Sequence, residues 1–360
     1  MDKPRVVTPL VKSRLEPATY KLSNPKTAHL RGHAVSCLGC LPLILVVIMT
    51  TLSQAALAIE LVATIPLSGV KGRIDHLAAD PAGHRLIVAA LGNDTVEILD
   101  TRSNGRSTIS GLGEPQGVLY LSASNRLFIA EGTGNRVDIV DVASLAVARR
   151  ISGMNDADNI RYDEAEHAVW VGYGKGALRM LDAATGEPGG EVALPGHPES
   201  FQLEHDGKRA FVNVPTAKKV VVIDRFTRQV VGQWETPGAS ANYPMALDEQ
   251  GHRLFVGTRS PPLLLVYDTE SGKVVARLPI GKDTDDVFFD QQHKRVYVIC
   301  GEGRVNMFRQ DHADRYSAEE SIVTAARART GLFVPREQRL YVAAPAAADT
   351  AARILVYQVR

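Results

Sequence analysis

Cysteine is scarce in this chain, with three in 360 residues. Two of them, Cys37 and Cys40, stand at the edge of an apolar leader, so their CxxC spacing is expected to leave with that leader rather than serve redox or metal chemistry. Only Cys300 remains, inside the strand-like run Arg295-Val-Tyr-Val-Ile-Cys300. That excludes an intramolecular disulfide and reads as a buried apolar side chain. An excess of basic charge is missing as well. Seven of the 41 basic and two of the 40 acidic residues lie in the first 58, which leaves 34 against 38 beyond them. A mildly acidic remainder has no global footprint for phosphates, which argues against nucleic acid as a partner. The P-loop, the dinucleotide fingerprint, the haem-attachment CxxCH and zinc spacings are likewise absent beyond residue 58.

Long apolar runs are lacking too. The longest, Leu41-Pro-Leu-Ile-Leu-Val-Val-Ile-Met49, is short of the roughly 20 residues that a spanning helix needs. It follows Lys3, Arg5, Lys12, Arg14, Lys21, Lys26 and Arg31 and precedes the small-residue pattern Ala56-Leu57-Ala58. Residues 1–58 therefore read as a signal peptide with a long basic leader, cleaved after Ala58, with a retained anchor as the alternative. Cleavage would leave residues 59–360 periplasmic or secreted, with no segment inserted in the membrane.

What is present is a repeat. A polar turn, then Arg or a substitute, then a short apolar run occurs at Arg85-Leu-Ile-Val-Ala89, Arg126-Leu-Phe-Ile-Ala130, Ala168-Val-Trp-Val-Gly172, Arg209-Ala-Phe-Val-Asn213, Arg253-Leu-Phe-Val-Gly257, Arg295-Val-Tyr-Val-Ile299 and Arg339-Leu-Tyr-Val-Ala343. Successive starts are 41, 42, 41, 44, 42 and 44 residues apart. A second apolar run follows each, closing on Asp100, Asp141, Asp182, Asp224 and Asp268 in the first five repeats. Short β-rich runs at this period, without helical patterning, predict an all-β fold, a seven-bladed β-propeller of four-stranded blades over residues 59–360. The last repeat ends after its third strand. Glu60-Leu-Val-Ala-Thr-Ile-Pro-Leu67 resembles Lys273-Val-Val-Ala-Arg-Leu-Pro-Ile280, so the N-terminal strand is expected to complete blade seven and close the ring.

Alignment on the Arg position puts two residues at the start of each innermost strand. The first series is Asp75, Gln116, Asp158, Glu199, Tyr243, Asp285 and Arg329, and the second is His76, Gly117, Asn159, Ser200, Pro244, Asp286 and Thr330. Structural repetition alone favours sameness there, whereas these residues are diverse and polar. Asp75, His76, Gln116, Asp158, Asn159, Glu199, Asp285, Asp286 and Arg329 are therefore the candidate ligand-binding residues at one mouth of the channel. Loop residues Asn93, Glu131, Tyr173, Asn213, Arg259 and Glu302 open on the same side. Crowded carboxylates with one imidazole suit a divalent cation, Ca²⁺, Mg²⁺ or Mn²⁺. The plainer alternative is a solvated channel whose polar side chains cap strand ends. His197 reads as a turn residue, and His84, His205, His252 and His293 as solvated hairpin residues on the opposite face. No nucleophile elbow surrounds Ser200, so a Ser-His-Asp triad is not expected and no catalytic residue is assigned.

These stretches, together with Gly72-Arg-Ile-Asp-His-Leu-Ala78, Ala90-Leu-Gly-Asn-Asp-Thr-Val-Glu-Ile98, Glu114-Pro-Gln-Gly-Val118, Asp156-Ala-Asp-Asn-Ile-Arg-Tyr-Asp163, Gly196-His-Pro-Glu-Ser-Phe-Gln-Leu203 and Asp283-Thr-Asp-Asp286, make residues 59–360 resemble the YncE-like family of exported bacterial propellers with YVTN-type repeats. The resemblance implies an exported seven-bladed propeller without an established reaction. Some relatives are associated with single-stranded DNA, a property at odds with the acidic mouth here. A looser likeness to propeller lactonases, which hold a divalent cation in the channel, points to Glu199, Asn159 and Asp285, although the order of their metal motif is not present. The expected function is a binding or scaffold protein for a small polar ligand or a periplasmic protein partner. The alternative is a divalent-metal-dependent hydrolase or lactonase using the same site.

Overall fold

The computed structural model describes residues 58–103 and 105–360. They form seven antiparallel sheets arranged as the blades of a propeller. Blade one runs Leu77–Asp80, Arg85–Ala90, Thr95–Asp100 and Arg106–Ser110 from the channel outward, and the next four blades repeat that order. The expected apolar runs are the second strands. Their alternate residues serve two interfaces: Leu86, Val88 and Ala90 pack toward blade seven, while Ile87 and Ala89 pack toward blade two. Burial on both faces is why these runs contain almost no polar residue. Among the described residues, one apolar cluster fills each interface between successive blades, including that between blades seven and one.

The repeated polar residues are structural. Asp100 accepts the backbone N–H groups of Arg102 and Ser103, both at 2.8 Å, and Asp141, Asp182, Asp224 and Asp268 cap the equivalent turns between third and fourth strands. Donation by these N–H groups, and at Asp182 and Asp268 first by the hydroxyls of Thr185 and Ser271, holds each carboxyl below its usual range. In blades one and four the Arg of the repeat locks the inner hairpin: Arg85 Nε donates to Asp80 Oδ2 at 2.9 Å, and Arg209 Nε to Glu204 Oε1 at 2.9 Å. His84, Asn125, His167, His252 and Lys294 end these hairpins in the left-handed region, with φ between 49° and 54°.

The N-terminal strand Ile59–Pro66 pairs antiparallel with Arg353–Val359 and is the outermost strand of blade seven, as the sequence predicts. Its register runs from Ile59 opposite Val359 to Pro66 opposite Arg353, and Leu67 continues it by donating its N–H to the Ala352 carbonyl at 2.8 Å. Blade six departs from the four-strand expectation. Its outer strand is split into Arg315–Ala318 and Ile322–Val323, both paired with Arg304–His312. The break lets Glu319 turn to Arg295, with Oε2 2.5 Å from Nε, and lets Ser321 accept from Asn306 Nδ2 at 2.9 Å. The processing site and basic leader expected over residues 1–58 lie, apart from Ala58, outside the described residues. Among the described residues no helix is long and apolar enough to cross a membrane.

Candidate functional site

The aligned ring positions share one backbone register. Asp75, Asp158 and Glu199 each donate their N–H to the fifth residue of the repeat phrase, the carbonyls of Ala89, Gly172 and Asn213, at 2.8–3.0 Å. In return, the N–H groups of those three residues donate to the carbonyls of His76, Asn159 and Ser200. Equivalent backbone thus presents different side chains around the channel mouth.

The carboxylates there are not a bare acidic cluster. Asp285, nearly buried, accepts from Arg259 Nη2 at 2.5 Å and pairs with Arg329 Nε at 2.9 Å and Arg73 Nη2 at 3.7 Å, so guanidinium groups from blades five and seven and from the segment entering blade one converge on it. Asp283 pairs with Arg329 at 3.0 Å and Arg259 at 3.6 Å. Arg259 also lies 3.9 Å from the centroid of the Tyr243 ring, a cation–π contact. Asp75, 1% exposed, takes Arg73 Nη2 at 2.8 Å, yet neither of its oxygens accepts a geometrically sound hydrogen bond. Burial dominates and pushes its carboxyl up to about 6, against the pull of His76 and Arg73.

His76 bridges blades. Its Nδ1 is 3.5 Å from Asp286 of blade six, and its Nε2 is 3.3 Å from Asn159 Nδ2 of blade three. Asn159 Oδ1 in turn accepts from Arg161 Nη2 at 3.3 Å. Burial draws the imidazole down, but Asp286, Asp75 and Asp158 together outweigh it and push His76 up to about 10. The second N–H of that imidazolium faces the Asn159 amide nitrogen, and reversing the amide to accept it gives up the contact with Arg161. Asp286 is further fixed by the Gly331 N–H at 2.8 Å.

A separate group lies on blades three and four. His197 Nδ1 donates to the Gly174 carbonyl at 2.6 Å, which leaves Nε2 directed toward Asp158 Oδ2 at 3.9 Å. Single donor atoms of Asp158, His197 and Glu199 all lie within 4.8 Å of one another. Burial and the charge of Asp158 push Glu199 up to about 8. Although burial opposes it, the Asp158 and Asp156 carboxylates and the Gly174 carbonyl raise His197 to about 9. Asp158, despite its burial, is lowered by the two histidines and Arg73.

Asp75, His76, Asp158, Asn159, Glu199, Asp285, Asp286 and Arg329 therefore fall into these linked groups. Gln116 stands apart, donating to the Ala157 carbonyl at 3.3 Å and Asp156 at 3.4 Å. Of the loop residues, Arg259 joins the mouth. Glu131 is buried inside blade two, accepting from the Gly113 N–H at 2.6 Å; Asn213 donates to the Tyr243 carbonyl at 2.9 Å; Glu302 accepts from the Lys282 N–H at 3.0 Å; Tyr173 bonds Glu191, and Asn93 bonds Thr95. These are contacts within or between blades. Register reasoning missed Arg73 and Arg161, two residues before Asp75 and two after Asn159, where strand alternation returns a side chain to the same face. It also set His197 aside.

No family model and no curated protein sequence matches the chain. Similar structures include a chain of the Kuenenia stuttgartiensis hydrazine synthase, with a TM-score of 0.69 at 17% identity over 77% of this chain and 95% of that one. A chain of a mitotic checkpoint complex has a TM-score of 0.71 at 14% identity, over 92% of this chain and 99% of that one. The fold is a seven-bladed β-propeller. Identity this low carries the fold and no function across.

Proposed function

We propose that the chain is an exported binding protein of the YncE-like class, whose channel mouth takes a small polar ligand or the polar tip of a periplasmic partner. A propeller platform is consistent with binding or scaffolding. The observation that carries the ligand reading is Arg161. Arg73, Arg259 and Arg329 each have a carboxylate within 4.0 Å, whereas Arg161, among the described residues, has none. Its Nη1 donates to its own blade at the Ile160 carbonyl, its Nη2 reaches only the Asn159 amide, and its guanidinium lies 5.5 Å from the Phe201 ring centroid. Burial pulls it below its usual value. A guanidinium held in the mouth on neutral acceptors favours a ligand that brings an anionic or strongly accepting group, such as a carboxylate.

Export is supported by the N-terminal pattern and by the closing strand, which starts at Ile59, one residue past the expected cleavage point. The test is a thermal-shift panel of amino acids, dicarboxylates and sugar acids on the native protein and on Arg161→Gln. Stabilisation by one class that disappears in the variant supports the reading, and a panel without a hit, or hits indifferent to the variant, counts against it. A metal-assisted hydrolase is the second reading, favoured by the Asp158, His197 and Glu199 grouping.

A further inference from the structure

We propose that Asp158, His197 and Glu199 bind a divalent transition-metal ion, Zn²⁺ or Mn²⁺, at the channel mouth. Three observations distinguish this group from the other carboxylates. First, Asp285 holds three guanidinium groups within 4.0 Å, Asp283 two and Asp75 one, whereas among the described residues neither Asp158 nor Glu199 has an arginine or lysine at that distance. Second, Asp158 is 6% exposed, and among the described residues its carboxylate accepts no hydrogen bond; its nearest cationic partner is His197 Nε2 at 3.9 Å. That separation is too long for a hydrogen bond. It is close to the spacing of two donors sharing one ion, about 3.4 Å for bonds of roughly 2.0–2.2 Å in tetrahedral geometry.

Third, the imidazole is oriented as a metal ligand is. Donation from Nδ1 to the Gly174 carbonyl at 2.6 Å fixes the ring and directs Nε2 at the carboxylates. Backbone support of this kind on the far nitrogen sets the tautomer of most ligating histidines. One imidazole with two carboxylates suits Zn²⁺ or Mn²⁺ better than Ca²⁺, which takes 6–8 oxygens, or Mg²⁺, which keeps most of its water. Three protein ligands leave a coordination position open. The site deepens the binding reading above, since such an ion would hold an anionic ligand. Metal uptake is measured without any organic ligand, so the two ideas fail separately.

The experiment is calorimetric titration of the chelator-treated full chain with ZnCl₂, MnCl₂, CaCl₂ and MgCl₂ in turn, alongside CoCl₂ addition followed by visible absorption. The expected result is uptake of one equivalent and a d–d spectrum of low coordination number. His197→Ala and Glu199→Gln should each weaken binding by at least ~100-fold, the upper range for losing even an outer-shell partner. Glu199→Gln is nearly isosteric, and melting curves establish that both variants are folded. The exposed His205, 3.5 Å from Glu164 and 2.9 Å from Asp206, is the surface control, and His205→Ala should leave the affinity unchanged. Absence of uptake, uptake of Ca²⁺ or Mg²⁺ alone, or an affinity indifferent to both His197→Ala and Glu199→Gln would overturn the proposal.

Discussion

His76 of blade one and Asn159 of blade three meet at 3.3 Å although a whole blade separates them in sequence. The blade between them contributes Gly117 at the equivalent ring position. A Cβ there would sit 2.1 Å from the Asp158 carbonyl oxygen and 3.1 Å from the Ile160 side chain. The missing side chain lets blades two and three approach closely and leaves room for the contact above them. Gly117→Ala should therefore push a backbone carbonyl aside and lower stability by about 1–3 kcal/mol in urea unfolding, the range for overpacking a well-packed site. A midpoint matching the native protein would show that the backbone there gives way freely.

The arginines around Asp285 make a second prediction. Asp285→Asn preserves shape but removes the charge facing Arg259, Arg329 and Arg73. Both Arg259 and Arg329 are about one-fifth exposed, at 22% and 21%, so water offsets part of the loss. The expected destabilisation is ~2 kcal/mol, below the 3–5 kcal/mol of a fully buried broken pair. It should shrink as salt screens the remaining guanidinium repulsion. A variant as stable as the native protein at low salt would mean that these pairs contribute nothing net.

Glu131, buried inside blade two, gives a pH dependence of its own. It is 0% exposed, its Oε1 has no hydrogen-bond partner, and Arg136 is shared between it and Asp138. Burial is the main cause that pushes its carboxyl from 4.5 up to about 7. The folded state thus holds this proton more tightly than the unfolded chain. Its stabilising contribution is complete below about pH 4.5 and is lost as the pH rises through 7. Glu131→Gln mimics the protonated form and should flatten the fall in stability between pH 5 and pH 8, as measured by unfolding at several pH values. Parallel native and variant profiles would contradict the assignment.

How far these features can be read from sequence depends on whether they repeat. The turn cap at Asp100 recurs through the first five blades, and the hairpin lock of Asp80 and Arg85 returns as Glu204 and Arg209, because these blades must solve the same backbone problem, so the period betrays the propeller. The ring register is equally legible, and it located Asp75, His76, Asp158 and Asp285. What repetition cannot show is a side chain used once. Glu319 reaches Arg295 across 24 residues and splits one outer strand, and nothing local announces it. His197 lies two residues before its ring position, in a Gly-His-Pro turn, and only the Gly174 carbonyl of the previous blade gives its ring a direction. Arg73 and Arg161 were within reach, since alternation along the strand places both on the side of Asp75 and Asn159.

Ring closure supplies the remaining prediction. The strand Ile59–Pro66 carries Ile59 and Ile65 into two different interfaces, and Leu67 beyond it is fully buried between blades seven and one. Its outward residues Leu61 and Val62 remain exposed, so the strand is held by its ladder and by these few side chains. Leu67→Ala should cost ~3 kcal/mol, as for other large-to-small changes in a core. Deletion of residues 59–67 removes the entire ladder and leaves Arg353–Val359 as an unpaired edge, open to pairing with another molecule. Such a protein should melt at a much lower temperature and associate on size-exclusion chromatography, whereas Leu67→Ala should stay monodisperse relative to the native chain. An unchanged melting midpoint after deletion would mean that the seven interfaces hold without the strand and that closure is dispensable.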